Sequence, residues 1–116
     1  MITSYKTRKL RILVANDDKF QLLLIKNALD TIPYVEIVFT AQNGLTALNE
    51  VIRNEAIKAY GNRRFFDLIF LDLNMPIMDG YEACTEIIKH YSEINNTLIQ
   101  NVRQKEAKMT WLTDLH

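Results

Sequence analysis

Three acidic positions could carry chemistry in this sequence: Asp17 and Asp18, which come after the apolar run LRILVA, and Asp72, which directly follows FDLIFL. An acid at the tip of an apolar element costs several kcal/mol or takes up a proton unless a metal, a cation or a reaction uses it. Every donor near these positions is a hard oxygen. Cys84 is the only cysteine, and neither His90 nor His116 is close in sequence. Two carboxylates about 5 Å apart repel by roughly 3 kcal/mol at an effective dielectric of about 20, so a cluster of them asks for a cation. Oxygen donors favour Mg²⁺ over zinc or copper, and a site with few protein oxygens suits an ion that keeps several waters. Asp17 and Asp18 also suit a plainer use, as helix N-cap and first-turn acid. Asp72 is followed by Asn74-Met75-Pro76, whose proline forces extended backbone at Met75, and such a loop can turn a carbonyl toward a metal. Asp79-Gly80 supplies a turn and the start of a helix.

These residues need elements to hold them. Leu10–Ala15 is rich in aliphatic side chains and stops at Asn16, which predicts a buried strand. From Lys19 to Asp30, with Asp18 as N-cap, the positions Phe20, Leu23, Leu24 and Ala28 predict the inward stripe of a helix. Pro33 closes it. Tyr34 to Thr40 predicts a second strand, and Ala41-Gln42-Asn43-Gly44 turns into a helix with Leu45, Leu48, Ile52 and Ala56 inward, ended by Gly61-Asn62. Phe66 to Leu71 is continuously apolar, the pattern of a strand covered on both faces. Tyr81 to His90 reads as a helix ending at His90, with Ala83, Cys84, Ile87, Ile88 and Tyr91 inward. Strands alternating with helices predict a parallel sheet with right-handed crossovers. Residues just past such strands gather along one edge, so Asp17 and Asp72 converge if strands one and three are neighbours. Ser92 to Lys108 is polar and Asn-rich and reads as a loop or a short extra helix, and Met109 to Thr113 has the composition of a fourth strand.

A length of 116 residues fits one domain. Equal counts of 14 basic and 14 acidic side chains give no net charge, so no electrostatic footprint for nucleic acid is visible. The longest apolar runs, Leu22–Ile25 and Leu68–Leu71, fall far short of the roughly 20 residues of a membrane span or the core of a signal peptide. A cytoplasmic chain is expected, with no membrane partner. The single cysteine, Cys84, excludes an internal disulfide and reads as a small buried apolar residue. Residues 1–9 form a basic lead-in to 10–116, solvated or serving as a docking tail, with Arg11 continuing its run of Lys6, Arg8 and Lys9.

The blocks RILVANDD, AQNGLTAL and FDLIFLDLNMPIMDGYEA, in that order, resemble the receiver domain of two-component response regulators. The resemblance covers Leu10 to Tyr91 and implies a flavodoxin-like, doubly wound parallel sheet. It implies that Asp72 is the phosphoacceptor, attacking a phosphohistidine on a histidine kinase or histidine phosphotransfer protein to give an aspartyl phosphate. Mg²⁺ would be held by Asp17, Asp72 and the backbone carbonyl of Asn74. Such a chain is substrate and part-catalyst rather than a stand-alone enzyme. Three departures stand out. The family's acidic pair falls on Asn16 and Asp17, so one carboxylate is an amide unless Asp18 stands in as a metal ligand. The family's switch hydroxyl on strand four falls on Thr113. The lysine of strand five has no counterpart, since Lys105 and Lys108 lie in the wrong context and no fifth strand or fifth helix follows. Their absence would leave apolar surface uncovered, including part of the first helix. Two other readings are a degenerate receiver that binds partners without phosphotransfer, and a Mg²⁺-dependent phosphatase of the haloacid dehalogenase type. The latter needs a second acid two residues after its nucleophile, where this chain has Asn74.

Overall fold

A computed structural model of the chain describes residues 9–56 and 65–114, with side chains described at 9–55, 65–97 and Gln100, so the predicted inward position of Ala56 lies outside them. Two compact units divide between Glu86 and Ile87. The first begins with strand β1 (Leu10–Ala15), helix α1 (Lys19–Asp30), strand β2 (Val35–Ala41), helix α2 (Gly44–Ala56) and strand β3 (Leu68–Leu71). Helix α3 (Gly80–Asp114) starts in this unit and makes up the described part of the second. The predicted end of α2 at Gly61-Asn62, the lead-in before Lys9 and His116 lie outside the described residues.

The sheet has the order β2-β1-β3 and is parallel throughout. Strand β1 is central and its aliphatic run is buried, with Ile12, Leu13, Val14 and Ala15 all at 2% exposure or less. Alternate side chains of a strand face opposite ways, so this one strand feeds two cores. Ile12 and Val14 join Val38 and Leu22 of α1 on one face. On the other face Arg11 reaches Asn54 of α2 at 3.0 Å, which places α2 opposite α1 across the sheet. The sheet is doubly wound, as the alternation of strands and helices requires.

The inward faces of the helices differ from those predicted. In α1 the buried stripe is Leu22 with Ile25 and Leu29 packed behind it, while Phe20, Leu23 and Leu24 are exposed at 68%, 53% and 53%. Four successive aliphatic residues, Leu22 to Ile25, leave the helical phase undetermined, and the stripe at i, i+3 and i+7 is the one that meets Ile12 and Val14. In α2 the buried side chains are Ala47, Val51, Asn54 and Glu55, not Leu45 and Ile52. Cys84 is exposed rather than buried, as is Ile88, while Ala83 and Ile87 are buried as predicted.

Strand β3 is not covered on both faces. It is an edge of the described sheet, and Leu68 and Phe70 are exposed at 44% and 48%. Leu68 pairs with Ile12 and Phe70 with Val14, so both point to the α1 side, beside a helix that itself exposes Phe20, Leu23 and Leu24. The described elements leave this apolar surface uncovered.

Arg11 does not belong to a solvated lead-in. Its side chain is 13% exposed, bonds Glu36 at 2.8 Å, and lies over the rings of Phe39 at 5.4 Å and Phe66 at 5.9 Å. The strand register slips beside Leu10, and the extra residue on β2, Glu36, meets the guanidinium there.

Residues 92–113 are helical, so neither a loop nor a fourth strand at Met109–Thr113 forms. The segment contains no glycine or proline, and its Glu, Gln, Lys, Arg, Ala and Leu residues are good helix formers. Ile87 is buried and Tyr91 and Ile94 are partly buried, a spacing that continues the helical period. His90, predicted at a helix end, lies within α3. Among the described residues no helix is long and apolar enough to cross a membrane.

Candidate functional site

The predicted acids lie at the carboxyl edge of the sheet, after the neighbouring strands β1 and β3. Two backbone bonds extend the ladder past the strands: Asn16 N donates to Ala41 O at 3.0 Å and Asp72 N to Ala15 O at 3.0 Å. Asp72 is thereby fixed alongside the start of the β1–α1 loop. Asp72 is partly buried, and among the described residues its side chain accepts one long bond, at Oδ1 from Asn74 N at 3.4 Å. A contact of that length is weak and leaves most of the carboxylate's lone pairs uncommitted.

The three residues after β1 divide their labour. Asn16 is 8% exposed and braces the loop, its Oδ1 accepting from Asp18 N at 2.9 Å and its Nδ2 donating to Gln21 Oε1 at 3.1 Å. Asp17 is exposed. Asp18 is the N-cap of α1, its Oδ1 accepting from Phe20 N at 2.9 Å and Gln21 N at 3.2 Å. Asp18→Ala should therefore lower stability by about 1 kcal/mol in a urea titration, while Asp17→Ala, which removes no described bond, should stay within about 0.5 kcal/mol.

The loop from Leu73 to Asp79 is tied at both ends. Gly80 N donates to Leu73 O at 3.1 Å, and Gly44 N, at the start of α2, donates to Met78 O at 2.8 Å. Both glycines are required by close approach. A Cβ on Gly80 would sit 2.2 Å from the carbonyl oxygen of Asp72, and one on Gly44 would sit 2.2 Å from that of Met78. Met75 is buried at 8% and plugs the loop from inside. At its tip Met78 N bonds Pro76 O at 2.7 Å around Ile77, whose φ is 70°. Asp79 caps α3, its Oδ1 accepting from Glu82 N at 2.8 Å, as its place before Gly80 predicts.

Among the described residues no three His, Cys, Asp or Glu side chains form a group that could hold a metal by themselves. The donors brought to this edge are the carboxylates of Asp17 and Asp72 and the backbone carbonyls of the following loop. That is an all-oxygen set with few protein ligands, which fits Mg²⁺ with most of its waters retained. Thr113 lies in helix α3, and its side chain is outside the described residues. The brace of Asn16, the close backbone approach at Gly44 and Gly80, read from sequence as turn residues, and the turn at Ile77 were not foreseen. The glycines alone carried a signal, each standing directly before a helical stripe.

The family model of the response regulator receiver domain matches residues 12–113. The chain belongs to that family. Its three parallel strands, wound by helices on both faces, are those of a flavodoxin-like receiver. The receiver is 34% identical over 103 residues to the protein-glutamate methylesterase/protein-glutamine glutaminase of Oceanobacillus iheyensis, covering 89% of this chain and 26% of that protein. It is 36% identical over 81 residues to the enzyme of the same name from Caldanaerobacter subterraneus, covering 70% of this chain and 19% of that one. It thus spans about a quarter or less of the length of these relatives. Among solved structures it is similar to the receiver domain of the histidine kinase CKI1 from Arabidopsis thaliana, complexed with Mg²⁺ and BeF₃⁻. The TM-score is 0.68 at 31% identity, covering 76% of this chain and 60% of that one. The response regulator domain of Thermotoga maritima CheB aligns with a TM-score of 0.59 at 30% identity, covering 71% of this chain and 54% of that one.

Proposed function

We propose that this receiver takes a phosphoryl group onto Asp72 from a phosphohistidine on a histidine kinase or histidine phosphotransfer protein. The carrying observation is the placement of Asp72: its N–H is pinned to Ala15 O while, among the described residues, its carboxylate accepts one long bond. A fixed backbone and an uncommitted carboxylate suit a nucleophile that must meet phosphorus in line. An Asp72 oxygen attacks phosphorus, the phosphorus–nitrogen bond breaks, and the imidazole leaves with a proton. Asp17, Asp72 and the Asn74 carbonyl would hold Mg²⁺, which when bound neutralises charge on the phosphoryl oxygens. We assign Asp18 to the cap and Asp17 to the metal. The relative complexed with Mg²⁺ and BeF₃⁻ supports an oxygen site of this kind.

Asn16 favours a second reading. Its amide is spent on the loop, where the family's usual acid would add a negative charge. A receiver weakened in this way could serve as a binding module without phosphotransfer, and its partner binding would be unchanged by Asp72→Asn. A haloacid dehalogenase-type phosphatase would need an acid at position 74, and Asn74 supplies none.

Incubation with a small acyl phosphate and Mg²⁺ separates these readings. The phosphoacceptor reading expects a mass gain of one phosphoryl group on the intact chain, lost when the divalent cation is chelated before mixing. A folded chain that gains no mass supports the binding module.

A further inference from the structure

Ile77 stands in a conformation that its side chain opposes. Its φ of 70° is one that β-branched residues rarely adopt, yet it is 75% exposed, so no burial offsets the strain. Glycine or asparagine would hold the same turn at lower cost. The turn itself is enforced from elsewhere, by the Met78–Pro76 bond, the Gly44–Met78 bond and the buried Met75. The isoleucine side chain therefore contributes nothing to this fold that a smaller residue would not, and its use lies outside the chain. It is not isolated. Leu73 and Tyr81, exposed at 48% and 68%, are brought together by the Gly80–Leu73 bond, and Leu45, at 40%, follows the glycine bonded to Met78. Four exposed apolar side chains thus lie along the loop that leaves Asp72 and the helix starts tied to it.

We propose that Ile77 is the apolar anchor on which the phosphodonor protein docks, seating its phosphohistidine over Asp72. This rests on Asp72 being the phosphoacceptor. The occupant follows from position: a protein that brings phosphorus in line with Asp72 must cover the residues next to it, and the loop beginning at Leu73 offers it apolar surface. A few residues carry most of the energy of an interface, and an apolar side chain that projects from a tied turn, with Tyr81 on the same surface, is placed to fill a pocket on a partner. A small phosphodonor needs no such surface, so the anchor acts on protein donors alone.

The test compares the native chain with Ile77→Asn, which tolerates the positive φ and removes the apolar surface, and Ile77→Leu, which keeps that surface. Each is phosphorylated in two ways: by a small acyl phosphate with Mg²⁺, and by the autophosphorylated core of a histidine kinase labelled from radioactive ATP. Ile77→Asn should keep its acyl phosphate rate within about twofold and lose about tenfold in transfer from the kinase at limiting receiver, with Ile77→Leu close to native in both. The Asn variant should melt no lower than the native chain. Equal kinase transfer by Ile77→Asn overturns the anchor, as does a parallel loss with both donors, which would make the residue merely structural. A change of oligomeric state in Ile77→Asn, with kinase transfer intact, would give the surface to a second copy instead. A native chain that takes no label from acyl phosphate would remove the phosphoacceptor reading itself, and the anchor with it.

Discussion

Asp72→Asn is expected to reduce phosphoryl uptake from an acyl phosphate to background while leaving the fold intact. The amide that replaces the carboxylate is not a nucleophile at neutral pH, and no second described acid shares its place at the end of β3. Asp17 is exposed in the neighbouring loop, Asp18 caps α1 and Asp79 caps α3. The fold has little to lose, because the one described bond of the Asp72 side chain is the 3.4 Å contact with Asn74 N, and an asparagine oxygen can accept it equally well. The urea midpoint should therefore stay within the equivalent of about 0.5 kcal/mol of native. Residual labelling of the variant comparable to the native chain would move the acceptor elsewhere.

Gly80→Ala is expected to be a severely damaging small substitution at the site. The added methyl would meet the carbonyl oxygen of Asp72 at 2.2 Å, the carbonyl carbon at 2.9 Å and Leu73 Cα at 2.9 Å. All three are backbone atoms, so no side chain can rotate away, and either the start of α3 or the end of β3 must move. Crowding of this kind costs about 3 kcal/mol, read as a fall in the urea midpoint at unchanged slope. A second consequence separates this from ordinary destabilisation. Displacing the Asp72 backbone strains its bond to Ala15 O, so acyl phosphate labelling should slow even where the variant is fully folded. A variant as stable and as readily labelled as native would show that the close approach of α3 to Asp72 is not needed.

Much of this architecture was legible in the sequence. Strand β1 and helix α1 have the predicted limits, because an aliphatic run ending in Asn16-Asp17-Asp18 leaves a strand no way to continue and gives a helix its cap. That Asp17 and Asp72 both follow neighbouring strands at one edge of the sheet was legible from the parallel alternation alone. What was not legible depended on neighbours. Leu22-Leu23-Leu24-Ile25 fits two helical phases, and contact with Ile12 and Val14 selects one. The continuous apolar run of β3 reads as doubly covered, yet the described sheet leaves it at an edge with Leu68 and Phe70 exposed. Arg11 sits next to other cations in sequence, and only the fold brings Glu36, Phe39 and Phe66 around it. Residues 92–113 carried a helical propensity that polar composition obscured. Nothing about an isoleucine signals a positive φ, so the turn at Ile77 was invisible before the loop was tied to Gly44.

The carboxylate at the end of β3 is the centre of this account, and one measurement reaches it directly. The native chain is treated with acyl phosphate and Mg²⁺, the acyl phosphate product is trapped by borohydride reduction, and the peptides are mapped by mass spectrometry. The account predicts a single reduced residue, at Asp72, absent when Mg²⁺ is withheld. A modification at Asp17, Asp18 or Asp79, or none on a chain shown to be folded, would contradict it.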